Sequence, residues 1–104
     1  MSYNGYVNYE TWCVNVWMSN GNTELYEEMA CEYLKESDGD ESLARRELAD
    51  WLKGEVGEFP EGLDNTSMMG DLLKSAIGKV DWREIAASYI ESAVEAVEQE
   101  KESA

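Results

Sequence analysis

No histidine occurs anywhere in the 104-residue chain. That removes at once the commonest general base, every serine–histidine or cysteine–histidine dyad, and the commonest transition-metal ligand. Cysteine is nearly as scarce. Cys13 and Cys31 are too few to build a structural zinc site by themselves. Both have apolar neighbours in stretches that read as helix, so buried free thiols are expected in preference to a disulfide. The glycines are scattered, and none precedes a lysine–serine or lysine–threonine pair, so no phosphate-binding loop is present. No apolar run approaches the ~18 residues of a membrane span. The opening MSYNGYVNYE has neither the charged nor the apolar region of a secretory signal. These absences point to a non-enzymatic protein of a reducing cytoplasm, with no catalytic residues, cofactor or metal.

Positive charge is also in short supply. Eight lysines and arginines stand against 23 aspartates and glutamates, for a formal charge of −15. Such a chain repels nucleic acid and anionic membrane and is drawn to basic surfaces, so its expected partner is a protein. No basic residue precedes Lys35, whereas Glu10, Glu24, Glu27, Glu28 and Glu32 all do, and Glu36, Asp38, Asp40 and Glu41 extend the run. A second row, Glu84, Glu91, Glu95, Glu98 and Glu102, falls at spacings of three, four or seven. Like charges four apart on a helix cost about 0.2–0.5 kcal/mol per pair, so stability does not account for the pattern.

Three accounts compete. Carboxylates one helical turn apart lie roughly 5–6 Å from each other, comparable with successive phosphates, and would fill a basic DNA-binding channel. Alternatively the charge is a general adaptation for solubility, or a solvated face with the binding site elsewhere. Paired carboxylates also serve glycosidases and metal-dependent nucleases, but no substrate-positioning group accompanies them here. The Asp38-Gly39-Asp40 turn resembles the start of a calcium loop. In that register the glycine and the bidentate glutamate are replaced by Leu43 and Ala49, which leaves a capped turn as the better account.

The apolar residues, 43% of the chain, set the fold. Tyr9, Trp12, Cys13, Val16 and Trp17 follow the period of an amphipathic helix, expected over Tyr9–Ser19 with Asn8 as cap, Val7 stapled to Trp12, and the tryptophans turned inward. A second stripe, Leu25, Tyr26, Met29, Ala30, Tyr33 and Leu34, starts after Asn22 or Thr23. Asp38 and Glu41 read as a capping box for a third helix with Leu43, Leu48, Trp51, Leu52 and Val56 inward, fraying at Gly54 and Gly57. Residues 57–66 hold the single proline and form the longest connection, pinned by Phe59 and Leu63.

A short fourth helix over 67–77 carries Met68, Met69, Leu72, Leu73, Ala76 and Ile77 on one side. The fifth begins at an Asp81/Glu84 capping box, with Val80 stapled to Ile85, and presents Trp82, Ile85, Ala86, Tyr89, Ile90, Ala93, Val94 and Val97. Tyr3–Val7 reads as at most one short extended piece. The expectation is an all-α, compact single-domain bundle of four to five short helices over residues 1–97, with a polar, frayed tail over 98–104.

Gly5, Tyr6, Asn8, Tyr9, Glu10, Thr11 and Trp12, continued by Val14, Asn15, Val16 and Trp17, resemble the N-terminal segment of a group of short proteins encoded by bacteriophages and other mobile elements. Asp71, Leu72 and Leu73, and then Val80, Asp81, Trp82, Glu84, Ile85 and Ala86, resemble two C-terminal segments of the same group. The resemblance covers most of the chain and implies a genomic context more than an activity. Asn8, Trp12, Asp81, Glu84 and Ile85 already have a structural reading as caps and core. Asn15 stands apart, beside the apolar stripe; it is expected to bond buried backbone, with Glu10 and Thr11 as candidates to pair with the 57–66 loop.

In a mobile-element context, small acidic helical proteins often inhibit host defence. The leading expectation is an inhibitor of a basic, nucleic-acid-binding host protein of the CRISPR or restriction type, acting by DNA mimicry through Glu24, Glu27, Glu28, Glu32, Glu36, Asp38, Asp40, Glu41, Glu91, Glu95 and Glu98. The alternative is a structural or adaptor domain that binds a protein, or itself, through an apolar patch with exposed aromatics such as Tyr3, Tyr6 or Tyr26.

Overall fold

Four of the five described helices start at a side chain that accepts a backbone N–H three residues on; the exception is the second, where neither Asn22 nor Thr23 caps and the Thr23 hydroxyl donates back to Met18 O and Ser19 O. Asn8 takes the Thr11 N–H at 2.9 Å, Asp40 that of Leu43 at 3.2 Å, Ser67 that of Gly70 at 3.0 Å and Asp81 that of Glu84 at 3.1 Å. The computed structural model describes residues 3–58 and 67–103, the last three for their backbone alone. It is all-α, with α1 (Tyr9–Ser19), α2 (Thr23–Glu36), α3 (Glu41–Val56), α4 (Met68–Gly78) and α5 (Trp82–Ser103). Phe59 and Leu63 lie outside the described residues. Residues 98–103 continue α5 as helix.

The core is built on α5, which packs most closely against α3 and α2, while α2 and α3 also pack on each other. Ile85, Ala86, Ile90 and Ala93 of α5 meet Ala44, Leu48, Ala49 and Leu52 of α3 and Ala30 and Leu34 of α2, closed by Met18, Val80 and Trp82. Val80 and Ile85, the expected staple ahead of α5, are both buried. The alanines let the helices approach closely, and each buried leucine or isoleucine contributes about 1.5–3 kcal/mol.

The turn between α2 and α3 differs from the expected capping box. Asp38 sits in the left-handed region, φ 54°, and its N–H bonds Lys35 O while that of Gly39 bonds Leu34 O, which closes α2 with a Schellman motif. With Asp38 spent on the end of α2, the cap of α3 passes to Asp40, and Glu41 pairs with Arg45 instead. Tyr3–Tyr6 is a tight turn, not an extended piece. Asn4 and Gly5 both take positive φ, and Tyr3 and Tyr6 exchange two backbone hydrogen bonds. Gly57 is the C-cap of α3, which remains helical through Gly54.

The largest departure is the rotation of α1. Its buried residues are Thr11 and Met18, joined by Val14, whereas Tyr9 is 51% and Trp17 74% exposed. At about 100° per residue Thr11 lies some 200° from Tyr9, so the face turned inward is the one opposite the aromatic stripe. The physical reason is polar. Thr11 is wholly buried because its hydroxyl completes the start of α5, and that contact fixes the helix's rotation. α4 likewise presents Met68, Met69 and Leu72 to solvent and reaches the core through Ile77. Cys13 and Cys31 are free thiols, but half-buried where full burial was expected.

Candidate partner-binding face

The Gly5–Trp12 and Val80–Ala86 segments meet in a hydrogen-bonded clasp. Thr11 Oγ1 donates to Asn8 Oδ1 at 2.7 Å and accepts the Asp81 N–H at 2.9 Å; Asn8 Nδ2 donates to Lys79 O at 2.7 Å. Glu84 does not reach back to close a box on Asp81. Its Oε1 accepts the Val7 N–H at 2.9 Å, so the carboxylate expected to complete the capping box of α5 is given instead to the segment entering α1. Val7 is largely exposed, and this bond, not a staple onto Trp12, anchors it. Asn15 donates to Tyr6 Oη at 2.7 Å, and Thr11 pairs with the start of α5; residues 59–66 of the loop expected to meet Glu10 and Thr11 lie outside the described residues. These residues therefore do structural work, joining the N-termini of α1 and α5.

The acidic residues form the face. Glu24, Glu27, Glu28, Glu32 and Glu36 are all exposed along α2. Glu24, Glu27, Glu28 and Glu32 border one groove of about 820 Å³ between α2 and α5, whose other side is Tyr89, Ser92, Ala96, Val97 and Glu100. Lys35 is the basic residue in that groove, paired with Glu100 at 3.5 Å. The groove thus combines a carboxylate rim with a partly apolar floor.

Two tyrosines register their surroundings, Tyr89 in the groove and Tyr33 outside its lining. Burial pushes the Tyr89 phenol above its ordinary range, with Tyr26, Glu27 and Tyr6 adding to the effect against an opposing bond from Ser19. Tyr33 is raised by burial first and then by Glu47, Glu36 and Glu32.

The remaining carboxylates are placed elsewhere. Glu91, Glu95 and Glu98 are exposed on the side of α5 turned away from the groove, so the α2 and α5 rows do not make one continuous surface. Asp38 lies in the α2–α3 turn. Asp40 and Glu41 belong to a different environment, where Asp40 caps α3 at a cavity holding arginines and Glu41 pairs with Arg45 at 3.3 Å.

A second surface was hidden by the inward reading of α1. Tyr9, Trp12, Cys13, Val16, Trp17 and Asn20 line a shallow depression, and Tyr3 packs on Tyr9 and Trp12 with ring centroids 5.2 and 5.1 Å away. The Tyr9 phenol is raised by its hydrogen bond to Cys13 and the neighbouring charges. Tyr6 and Tyr26 are not part of it. Tyr6 is half-buried against Asn15, and Tyr26 stacks edge-on with Trp51 and Tyr89 beside the core. No helix of the described residues is long and apolar enough to cross a membrane, and no group of three or more cysteines or carboxylates among them is arranged to hold a metal ion.

The chain belongs to the DUF7249 family, a family of unknown function, whose model matches residues 1–103. No curated protein and no solved structure matches it.

Proposed function

We propose that this protein is a non-enzymatic inhibitor that occupies the nucleic-acid channel of a basic host defence protein, of the CRISPR or restriction type, in the cytoplasm of a phage-infected cell. The observation that carries the reading is the α2 row. Four glutamates, Glu24, Glu27, Glu28 and Glu32, stand exposed on one groove, with one local ion pair between Lys35 and Glu100. Their helical spacing places negative charge at intervals close to those of a phosphate strand, and the formal charge of −15 would steer the protein to a basic channel. The apolar floor supplies what nucleic acid lacks, a surface on which a side chain from the partner can be buried.

The test is capture of host proteins on the immobilised chain, eluted by a salt gradient, beside the triple variant Glu24→Lys, Glu28→Lys, Glu32→Lys. A nucleic-acid-binding protein released at moderate salt, and absent from the helical triple variant, is the expected result. Binding indifferent to both salt and charge reversal would sink the proposal.

A specific observation favours a second reading, an adaptor that binds through apolar contacts: Trp17 and Met68 are each 74% exposed, with Tyr9, Met69 and Leu72 also uncovered. Binding that survives high salt and is lost on Trp17→Gln or Met68→Gln would select it.

A further inference from the structure

All three arginines of this acidic chain line one cavity. Arg45 and Arg46, from the second turn of α3, and Arg83, from the first turn of α5, enclose about 480 Å³ together with Asp40, Ser42 and Leu43. We propose that this cavity is a binding site for the phosphate group of a small phosphorylated molecule, separate from the acidic groove and independent of the function assigned to it.

The charge distribution is the first ground. Carboxylates outnumber basic residues 23 to 8, so a basic side chain placed without purpose would meet an acidic neighbour. Here only Arg45 does, through Nη2 at 3.3 Å from Glu41 Oε1, in a pair that is open to solvent. The side chains of Arg46 and Arg83 have no ion pair or hydrogen bond among the described residues. Gathering three like charges opposes folding, and an anion in the cavity relieves the repulsion.

The second ground is an orphaned donor. Arg45 Nε is shut off from solvent and has no acceptor, although buried donors are nearly always satisfied. Turning this guanidinium off Glu41 toward an anion in the cavity gives it one.

The donor type selects the ligand. Planar guanidinium forks present paired N–H groups that match phosphate oxygens two at a time, which lysines do not. The first turn of α3, beside the cavity, adds the positive end of its dipole. Around the adjoining depression Lys53, Lys79 and Arg83 outnumber Asp50 and Asp81, and so carry a weaker positive surface across α3 and the start of α5. Asp40 also lines the cavity, its carboxylate accepting the Leu43 N–H, so three guanidinium groups face one carboxylate there and the balance stays positive. The volume suits a small molecule. The acidic remainder of the protein repels anions, so no other face competes for them.

The experiment is a nuclear magnetic resonance titration of the full chain, following the arginine Nε–H signals. Inorganic phosphate and adenosine monophosphate are the probes, and sodium chloride at equal ionic strength is the control. Expected is a saturable shift of the arginine signals with a Kd on the order of 1 mM or tighter, weakened about tenfold by Arg46→Gln or Arg83→Gln and unchanged by Lys35→Gln. Tighter binding of adenosine monophosphate than of phosphate identifies a nucleotide, and equal binding identifies free phosphate; either supports the site. Shifts reproduced by chloride mean an adventitious ion only. That result, no saturable shift, or full retention in correctly folded Arg46→Gln and Arg83→Gln overturns the proposal.

Discussion

Replacing Thr11 by valine tests whether the clasp between the starts of α1 and α5 is an energetic unit. The substitution exchanges a hydroxyl for a methyl of nearly the same size at a wholly buried position, so packing is preserved and only hydrogen bonds are lost. Two disappear: the 2.7 Å bond to Asn8 Oδ1 and the 2.9 Å bond from the Asp81 N–H. Asn8 Oδ1 keeps the Thr11 N–H, so its loss is partial, about 0.5 kcal/mol; the Asp81 N–H is left without its acceptor, at about 1–3 kcal/mol. The expected loss is about 1.5–3.5 kcal/mol. Against a total stability of some 5–15 kcal/mol, and at about 4–8 °C per kcal/mol for a domain near this length, this lowers Tm by roughly 5–30 °C. Thermal and urea unfolding followed by circular dichroism measure it, with an unchanged denaturant slope showing that two-state unfolding persists. Thr11→Ser is the partner variant. It keeps the hydroxyl and gives up one methyl, about 1 kcal/mol. If the valine variant is as stable as the serine variant, the hydroxyl does not hold the clasp, and the account of why α1 is rotated fails with it.

Two glycines of α3 and its C-cap should respond in opposite directions to alanine. A Cβ at Gly57 would stand 2.7 Å from Trp82 Cζ2 and 2.8 Å from Lys53 O, so Gly57→Ala should cost about 1–3 kcal/mol. One at Gly54 meets nothing within 4 Å, and Gly54→Ala should stabilise the helix by about 0.5–1 kcal/mol; equal effects in chemical denaturation would contradict the packing described. At alkaline pH the sign follows from the raised phenols. A tyrosine whose folded pKa exceeds the unfolded value of about 10 stabilises fully below that pH and loses the contribution as pH rises through the folded pKa. Burial raises Tyr89 in this way, so urea stability should decline above about pH 10, and the decline should be shallower in Tyr89→Phe; identical profiles would show that Tyr89 does not contribute.

The helix boundaries were legible because they rest on local chemistry. Asn8, Ser67 and Asp81 cap the helices they precede, and the buried residues of α5 follow its apolar period. The rotation of α1 was not legible, because two faces of the same helix satisfy the 3.6-residue period. Tyr9, Trp12, Cys13, Val16 and Trp17 make one stripe; Thr11, Val14, Asn15 and Met18 make the other. Hydrophobicity ranks the first above the second, but it cannot see that Thr11 is needed 70 residues away in sequence at the Asp81 N–H. The same limit applies to Asp38. Its position three residues before Glu41 suggested a cap, while the Schellman geometry that claims it depends on where α2 stops. The acidic row of α2 was visible from spacing alone. The convergence of Arg45, Arg46 and Arg83 was not, because only the tertiary packing of α3 against α5 brings them together.

The clasp and the acidic groove of α2 occupy different parts of the molecule, and this separates two kinds of information in the chain. Asn8, Thr11, Asp81 and Glu84 are engaged in mutual hydrogen bonds, and Asn15 in one to Tyr6, so each has a role that folding alone explains. A likeness to other proteins carried by those segments is a likeness of architecture: it specifies how α1 meets α5 and leaves the partner open. The glutamates of α2, with Arg46 of α3 and Arg83 of α5, are free of that duty. Removing the exposed Glu24, Glu28, Arg46 or Arg83 breaks no hydrogen bond among the described residues, and in the acidic row it relieves repulsion. Residues that folding does not require, held in clusters that electrostatics disfavours, are the ones on which a functional search should spend its variants. The clasp residues serve as the control that distinguishes loss of binding from loss of fold.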